Sequence, residues 1–257
     1  MKYKWMIALA YLLLDGYNKI IFLLPLTSPP KLIIFITVLY NAVINETEAS
    51  VTKPIEGVSE RILSCATEEF LEKGYSDASL RTIAAKAGTT TGSIYSRFKD
   101  KEGLFAAIVG PVAEYMMTLF VKTQEEFHAV EPERQPKEMD DYVMSGMDEM
   151  LDYIYDNFTA FQLLLEASYG TKFQNFVEQL AEVEAEYTYK FMEVIHFQNE
   201  EENEVTEEFI HIMTRALFDS MFEVVRHKME KETARKYVHM LEKFNYAGWN
   251  TILKFEE

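Results

Sequence analysis

Cysteine is nearly absent from this sequence of 257 residues: Cys65 is the only one. That excludes a disulfide framework and a cysteine-based zinc site, and it fits a reducing cytoplasm rather than secretion. Glycine and proline are scarce, at 10 and 7 residues. Few breakers favour long helices over many short strands. The chain shows no strand alternation, no internal repeat and no glycine-rich phosphate loop. No Ser-His-Asp or Cys-His arrangement is legible, so no catalytic residue, metal site or cofactor is expected.

What is present points to a soluble globular protein, with 48% hydrophobic and 26% charged residues. The net charge of −17 is unevenly spread. Residues 51–105 hold 8 Lys+Arg and 8 Asp+Glu, whereas residues 106–257 hold 13 and 31. A neutral segment with local basic groups therefore precedes an acidic body. Such a body would repel DNA and help to orient the molecule on it.

Three segments follow. Residues 1–50 form an apolar extension in which Trp5–Leu14, Ile20–Leu26 and Leu32–Ile44 are broken by polar and proline residues. None of these runs reaches the ~18 uninterrupted apolar residues of a spanning helix. An over-extended start with translation from near Val51, a membrane anchor and a soluble extension are the three readings of it. Residues 51–105 form a compact helical unit. Val58, Ile62, Leu63, Ala66, Phe70 and Leu71 recur at helical spacing. Ser59 is a candidate N-cap, and Gly74 ends the helix as a C′ glycine. Ser79 caps Leu80–Ala87, Thr90 caps Thr91–Phe98, and Asp100 caps a fourth helix that Gly110–Pro111 should kink or break. Residues 106–257 continue as helices at about Lys137–Asp156, Thr159–Ser168, Thr171–Phe197, Thr206–Met229 and Lys231–Phe255. Glu131–Pro136 reads as a linker and Gln198–Glu204 as an acidic loop. The fold class is all-α.

A helix-turn-helix needs a small residue where its helices cross, a glycine in the turn, and an apolar residue that locks the second helix. Ala84, Gly88 and Ile94 meet these needs, supported by Ile83 and Ala87. Thr89, Thr90, Thr91, Ser93, Tyr95, Ser96 and Arg97 are left to point outward. Short hydroxyl residues at a helix N-terminus hydrogen-bond bases or phosphates, or simply cap the helix. Arg97, Lys99 and Lys101 follow as phosphate contacts.

The stretch from Arg61 to Phe105, RILSCATEEFLEKGYSDASLRTIAAKAGTTTGSIYSRFKDKEGLF, resembles the DNA-binding domain of the tetracycline-repressor (TetR/AcrR) family. The markers are Ala66, Phe70, Gly74 and Tyr75, then Ile83, Ala84, Ala87 and Gly88, then Gly92, Ile94, Tyr95, Phe98, Lys101, Glu102, Leu104 and Phe105. The resemblance implies a three-helix DNA-binding domain followed by a helical ligand-binding and dimerisation domain. Thr91, Ser93, Tyr95 and Ser96 would face the major groove. Ser79, Thr82, Thr90, Tyr95 and Lys101 would contact phosphates, and Gly92 would let the recognition helix approach the backbone. The sequence departs from common members at Thr91, where Lys or Arg is frequent, and at Ser96-Arg97. A homodimer would bind palindromic double-stranded operator DNA as a regulator, in repression rather than activation, and a small-molecule effector would release it.

The last two helices carry apolar stripes suited to a partner copy: Phe209, Met213, Leu217 and Met221 on one, Met240 and Phe244 on the other. Part of each stripe must be ordinary core. The middle helices are rich in Met, Phe and Tyr, which suits an apolar or aromatic ligand. Met147, Tyr155, Phe161 and Phe176 are candidate lining residues, and Glu166 is a candidate partner for a cationic ligand. Two other readings stand beside this one. Residues 1–50 would make a membrane-tethered regulator of the same type. Glu125/His128, Glu193/His196 and Glu208/His211 repeat the Glu-x-x-His spacing of di-iron bundle enzymes. With 33 glutamates in the chain, such pairs also arise by chance.

Overall fold

The structure is a computed structural model that describes residues 57–199 and 204–255, together with the backbone of two short segments nearer the N-terminus. The chain divides into two compact units, Met1–Glu56 and Gly57–Glu257. In the first, Leu14–Asp15 (β1) pairs antiparallel with Lys19–Ile20 (β2). The expectations for residues 1–50 otherwise lie outside the described residues, as does most of the acidic loop at Gln198–Glu204.

The second unit is helical. Its described elements are α1 (Val58–Asp77), α2 (Leu80–Lys86), α3 (Thr91–Phe98), α4 (Lys101–His128), α5 (Gln135–Asp156), α6 (Phe158–Glu166), α7 (Phe176–Val194), α8 (Glu207–Arg226) and α9 (Lys231–Leu253). Four of them start on side-chain caps that satisfy otherwise orphaned N–H groups. Ser79 Oγ accepts from Thr82 N, Thr90 Oγ1 from Ser93 N, Asp100 Oδ1 from Gly103 N and Thr206 Oγ1 from Phe209 N. Ser59 is not a cap. Helix α1 begins one residue earlier behind Gly57, at φ 84°, and has no side-chain cap. Gly74, at φ 70°, interrupts the α1 spiral as a glycine just past the last apolar residue should.

Three expectations about helix limits need correction. Gly110 and Pro111 do not break α4, which runs through both for 28 residues. The cost of an interior proline, ~3 kcal/mol, is offset because Val109, Val112, Ala113, Met116, Leu119 and Phe120 around it are buried, at ~1.5–3 kcal/mol for each large side chain. By length and composition α4 is apolar enough to cross a membrane, and these core positions account for that composition. Helix α7 starts at Phe176 rather than Thr171. The buried Thr171 hydroxyl donates to Ser168 O at 2.7 Å and accepts from Phe173 N at 3.1 Å. These local bonds offer the backbone an alternative to the helix. Helix α5 begins at Gln135, so Pro136 falls in its first turn rather than in a linker.

The larger of two core clusters joins the first three helices to the rest of the unit. Ile62, Phe70, Ile83 and Ile94 of the first three helices join Phe105, Met116, Leu151, Phe161 and Phe222. Phe127, Phe191, Val205, Ile210 and Leu253 form a second cluster, packed against Phe209, Trp249 and Phe255.

Candidate functional site

Helices α2 and α3 cross as the residue types require. Ile83, Ala84, Ala87 and Ile94 are all 3% exposed or less, and Gly88 takes φ 64° in the turn. The apolar side chains are thereby used up inside. Thr90, Gly92 and Ser96 stand exposed, as does Tyr95, while Thr82, Thr91, Ser93 and Arg97 are half-buried. Gly92 has no fold-imposed reason to be glycine: an added Cβ would meet only Thr90 Oγ1, at 3.7 Å. Gly103 is the opposite case, since an added Cβ would lie 1.9 Å from Phe98 O.

Several expected phosphate contacts are engaged within the chain. Ser79 and Thr90 are caps. Arg97 folds back on its own helix, its Nη1 donating to Ser93 O and Ser93 Oγ, and Ser96 Oγ donates to Ser93 O. Lys101 is held more firmly. Its ammonium donates to the carbonyls of Ser76 at 2.8 Å and Ala78 at 2.9 Å, and lies 4.8 Å from the centre of the Tyr75 ring. Burial pulls its pKa below the ordinary lysine value, although Asp77 acts the other way. Lys101 therefore fixes the α1–α2 turn to the start of α4, with one proton left for a phosphate.

Glu69 is a functional residue that its place in the sequence scarcely marks. It is 3% exposed, yet its carboxylate accepts from Ser79 N at 3.2 Å and from Lys86 Nζ at 3.4 Å. It pins both ends of α2. Its place in an apolar-looking helix register, with Lys86 seventeen residues on, was the only signal.

A cavity of about 140 Å³ lies between α4, α5, α7, α8 and α9. Phe127, Tyr142, Tyr187, Phe191 and Trp249 supply rings to its wall, and Met139, Met147, Met150 and Met221 supply thioethers. Two carboxyls belong to the wall. Glu184 accepts from Gln124 Nε2 at 2.6 Å, and burial pushes its pKa up to about 7. Glu242 is 1% exposed, and its Oε2 has no hydrogen-bond partner among the described residues. Burial, with Asp140 beside it, also pushes Glu242 up to about 7.

Of the candidate lining residues, only Met147 reaches this cavity. Tyr155 donates its hydroxyl to Met229 O at 2.6 Å and so serves packing. Phe161 is fully buried against Tyr153. Phe176 lies tilted against Phe222, ring centres 6.2 Å apart, and lines a second, more open hollow beside Gly110 and Phe173. Glu166 ends α6, in the wall of neither. The six interface candidates also separate. Met221 is buried inside the subunit, and Phe209 packs on Trp249. Met213 and Leu217 are half-buried. Met240 and Phe244 stand out at 70% and 74% exposure, with Ile212 at 61%.

Among the described residues, no group of three or more His, Cys, Asp or Glu side chains could hold a metal ion. His128 lies in the cavity wall, and His211 pairs with Glu178 at 3.3 Å.

Residues 62–108 match the sequence model of the family described as bacterial regulatory proteins, tetR family. The HTH-type transcriptional repressor BepR of Brucella suis is 45% identical over 51 residues, which are 20% of this chain and 24% of that protein. The HTH-type transcriptional regulator AcrR of Shigella flexneri is 47% identical over 49 residues, 19% of this chain and 23% of that one. The chain thus spans about a quarter of the length of these curated relatives. A TetR family transcriptional regulator, PfmR from Thermus thermophilus, superposes with a TM-score of 0.49 at 20% identity, covering 71% of this chain and 97% of that one.

Proposed function

We propose that the protein is a cytoplasmic, ligand-responsive transcription regulator of the repressor type, a reading supported by the match of residues 62–108 to the model of the tetR family of bacterial regulatory proteins. The observation that carries this reading is the exposed tip of α3. Its apolar residue, Ile94, is fully buried, while Gly92, Tyr95 and Ser96 are exposed, Ser96 with one hydrogen bond back to its own helix. A helix of this kind enters a major groove with its N-terminal residues on base edges.

One such helix reads few base pairs, so two copies would present a pair of tips ~34–36 Å apart to a palindromic site. Ile212, Met240 and Phe244 on α8 and α9 form the apolar face for that pairing. The cavity takes the small-molecule effector. Helix α4 joins the two functions without a break: Lys101 holds the α1–α2 turn, and Phe120–His128 help to line the cavity. A ligand that favours one placement of α4 shifts the spacing of the recognition helices, and so the population competent for DNA.

The test is selection of bound duplexes from a random pool by the full chain. A palindromic consensus is expected, lost on Tyr95→Ala. Recovery of no sequence-selective, salt-sensitive duplex would end this reading.

A further inference from the structure

The cavity wall has a composition that suits neither a neutral nor an acidic guest. Among the described residues, no Lys or Arg belongs to it, and its one basic side chain is His128. The pKa of that imidazole is lowered by burial and by Lys190 nearby. Against that stand two carboxyls among aromatic rings. Glu184 has one named partner, the amide of Gln124. Glu242 shares a side-chain hydrogen bond with Asp140, whose like charge Lys243 and His239 only partly offset, but its Oε2 is buried without a partner among the described residues. A buried acceptor left unpaired costs ~1–3 kcal/mol. A neutral apolar guest would leave that cost in place, and an anion would add repulsion. A cation would remove it, while Tyr142 and Trp249 offered ring faces that attract positive charge; the Tyr187 ring is already taken by Lys190, whose ammonium lies 3.9 Å from its centre.

We propose that this cavity binds a small organic cation, an amine or quaternary ammonium on a single aromatic or branched apolar body, with Glu184 and Glu242 as its counter-charges. The size follows from the volume: about 140 Å³ is close to that of apolar cavities of ~150 Å³ that accept one benzene ring. The proposal rests on the reading of this cavity as the effector site and names its chemistry.

The experiment compares phenyltrimethylammonium with tert-butylbenzene, the same shape with carbon in place of the charged nitrogen. Binding to the full chain is followed by calorimetry and by the fluorescence of Trp249 in the cavity wall. The cation should bind at least ~tenfold more tightly than its neutral isostere. That preference should fall by ~tenfold in Glu184→Gln and vanish in the double variant with Glu242→Gln. Far-ultraviolet circular dichroism checks that each variant is folded. Glu184→Gln alone, at a half-buried position, keeps the test decisive where the double variant does not fold. Equal or tighter binding of tert-butylbenzene, no binding of the cation, or an unchanged preference in folded Glu184→Gln overturns the proposal. Binding of the selected operator is measured on the same preparations. Intact operator binding without cation preference removes this ligand class and leaves the regulator reading standing.

Discussion

The backbone N–H of Tyr75 donates to the carbonyl of Ala167 at 3.0 Å. This bond ties the turn after Gly74 to the C-cap residue just past α6. The Tyr75 ring then stands 5.4 Å from that of Phe105, and Phe105 stands 6.3 Å from Phe173. Ring contacts thus run from α1 through α4 to the segment before α7. Ile94 of α3 and the cavity-wall residues Phe120, Met147 and Met221 belong to one buried core, so α3 and the cavity are joined by packed side chains, the kind of contact through which a change in population at one end registers at the other.

Gly92 and Gly103 separate contact with DNA from the needs of the fold. Gly92→Ala meets no steric obstacle inside the chain and gains helix propensity, so stability should hold or rise by up to ~1 kcal/mol. Affinity for the selected duplex should nevertheless fall, because the added methyl stands on the exposed tip. Gly103→Ala drives a Cβ into the carbonyl of Phe98 and should destabilise by ~2 kcal/mol or more. Urea unfolding and duplex titration of both variants give the two readouts. Loss of stability in Gly92→Ala would contradict the assignment of its exposed face.

Lys101→Ala should lose more than a phosphate contact. Its ammonium serves the carbonyls of Ser76 and Ala78, and bonds to a charged donor contribute ~1.5–3 kcal/mol each when partly buried. A drop of about 2 kcal/mol in unfolding free energy is expected without DNA present. A purely electrostatic phosphate contact would leave stability alone and lower only the salt slope of binding, by about 1. Thermal melts of the free protein decide between the two.

How much of this could be read from residue order differs between parts of the molecule. The crossing of α2 and α3 was legible because it depends on local facts: Ala84 where the helices meet, Gly88 in the turn, Ile94 as the lock. The caps Ser79, Thr90 and Asp100 were legible for the same reason. Glu69 was not, because a carboxylate in a helical register looks solvated until Ser79 N and Lys86 arrive from another helix. The cavity was half legible. A wealth of Met and aromatic residues marked the right helices, but which side chains surround a void depends on packing of five of them. Tyr155 and Phe161 therefore went to core, and Glu184 and Glu242 to the wall. The stripe on α8 and α9 carried both kinds of residue. Periodicity cannot tell Met221, at 1% exposure, from Met240, at 70%.

That difference sets the test of the pairing face. Met240→Glu with Phe244→Glu places two charges where both side chains are largely exposed, so the isolated subunit should fold with little change. In a dimer the same charges would be buried against apolar neighbours without partners, at a cost of several kcal/mol. Sedimentation velocity should show the wild type as a dimer and the double variant as a monomer, with operator affinity lowered at least ~tenfold. A variant that stays dimeric places the interface elsewhere.

Glu242 makes stability depend on pH in a direction that can be worked out. Its carboxyl is raised from the ordinary 4.5 to about 7 in the fold by burial and by Asp140, with Lys243 and His239 opposing. Between those two pH values the folded chain holds a proton that the unfolded chain has released. The contribution of this group is therefore full below about 4.5 and is lost as pH rises through about 7. The loss reaches ~3 kcal/mol at most, at about 1.4 kcal/mol for each pH step. Glu242→Gln cannot ionise, so its unfolding free energy relative to wild type should grow more favourable from pH 5 to pH 8. Because the two proteins share every other titrating group, the difference between their urea midpoints reports on Glu242 together with Asp140, which is coupled to it. A difference that stays flat over that range would mean that the carboxylate finds a counter-charge in the cavity wall, and the unpartnered Oε2 would then need another explanation.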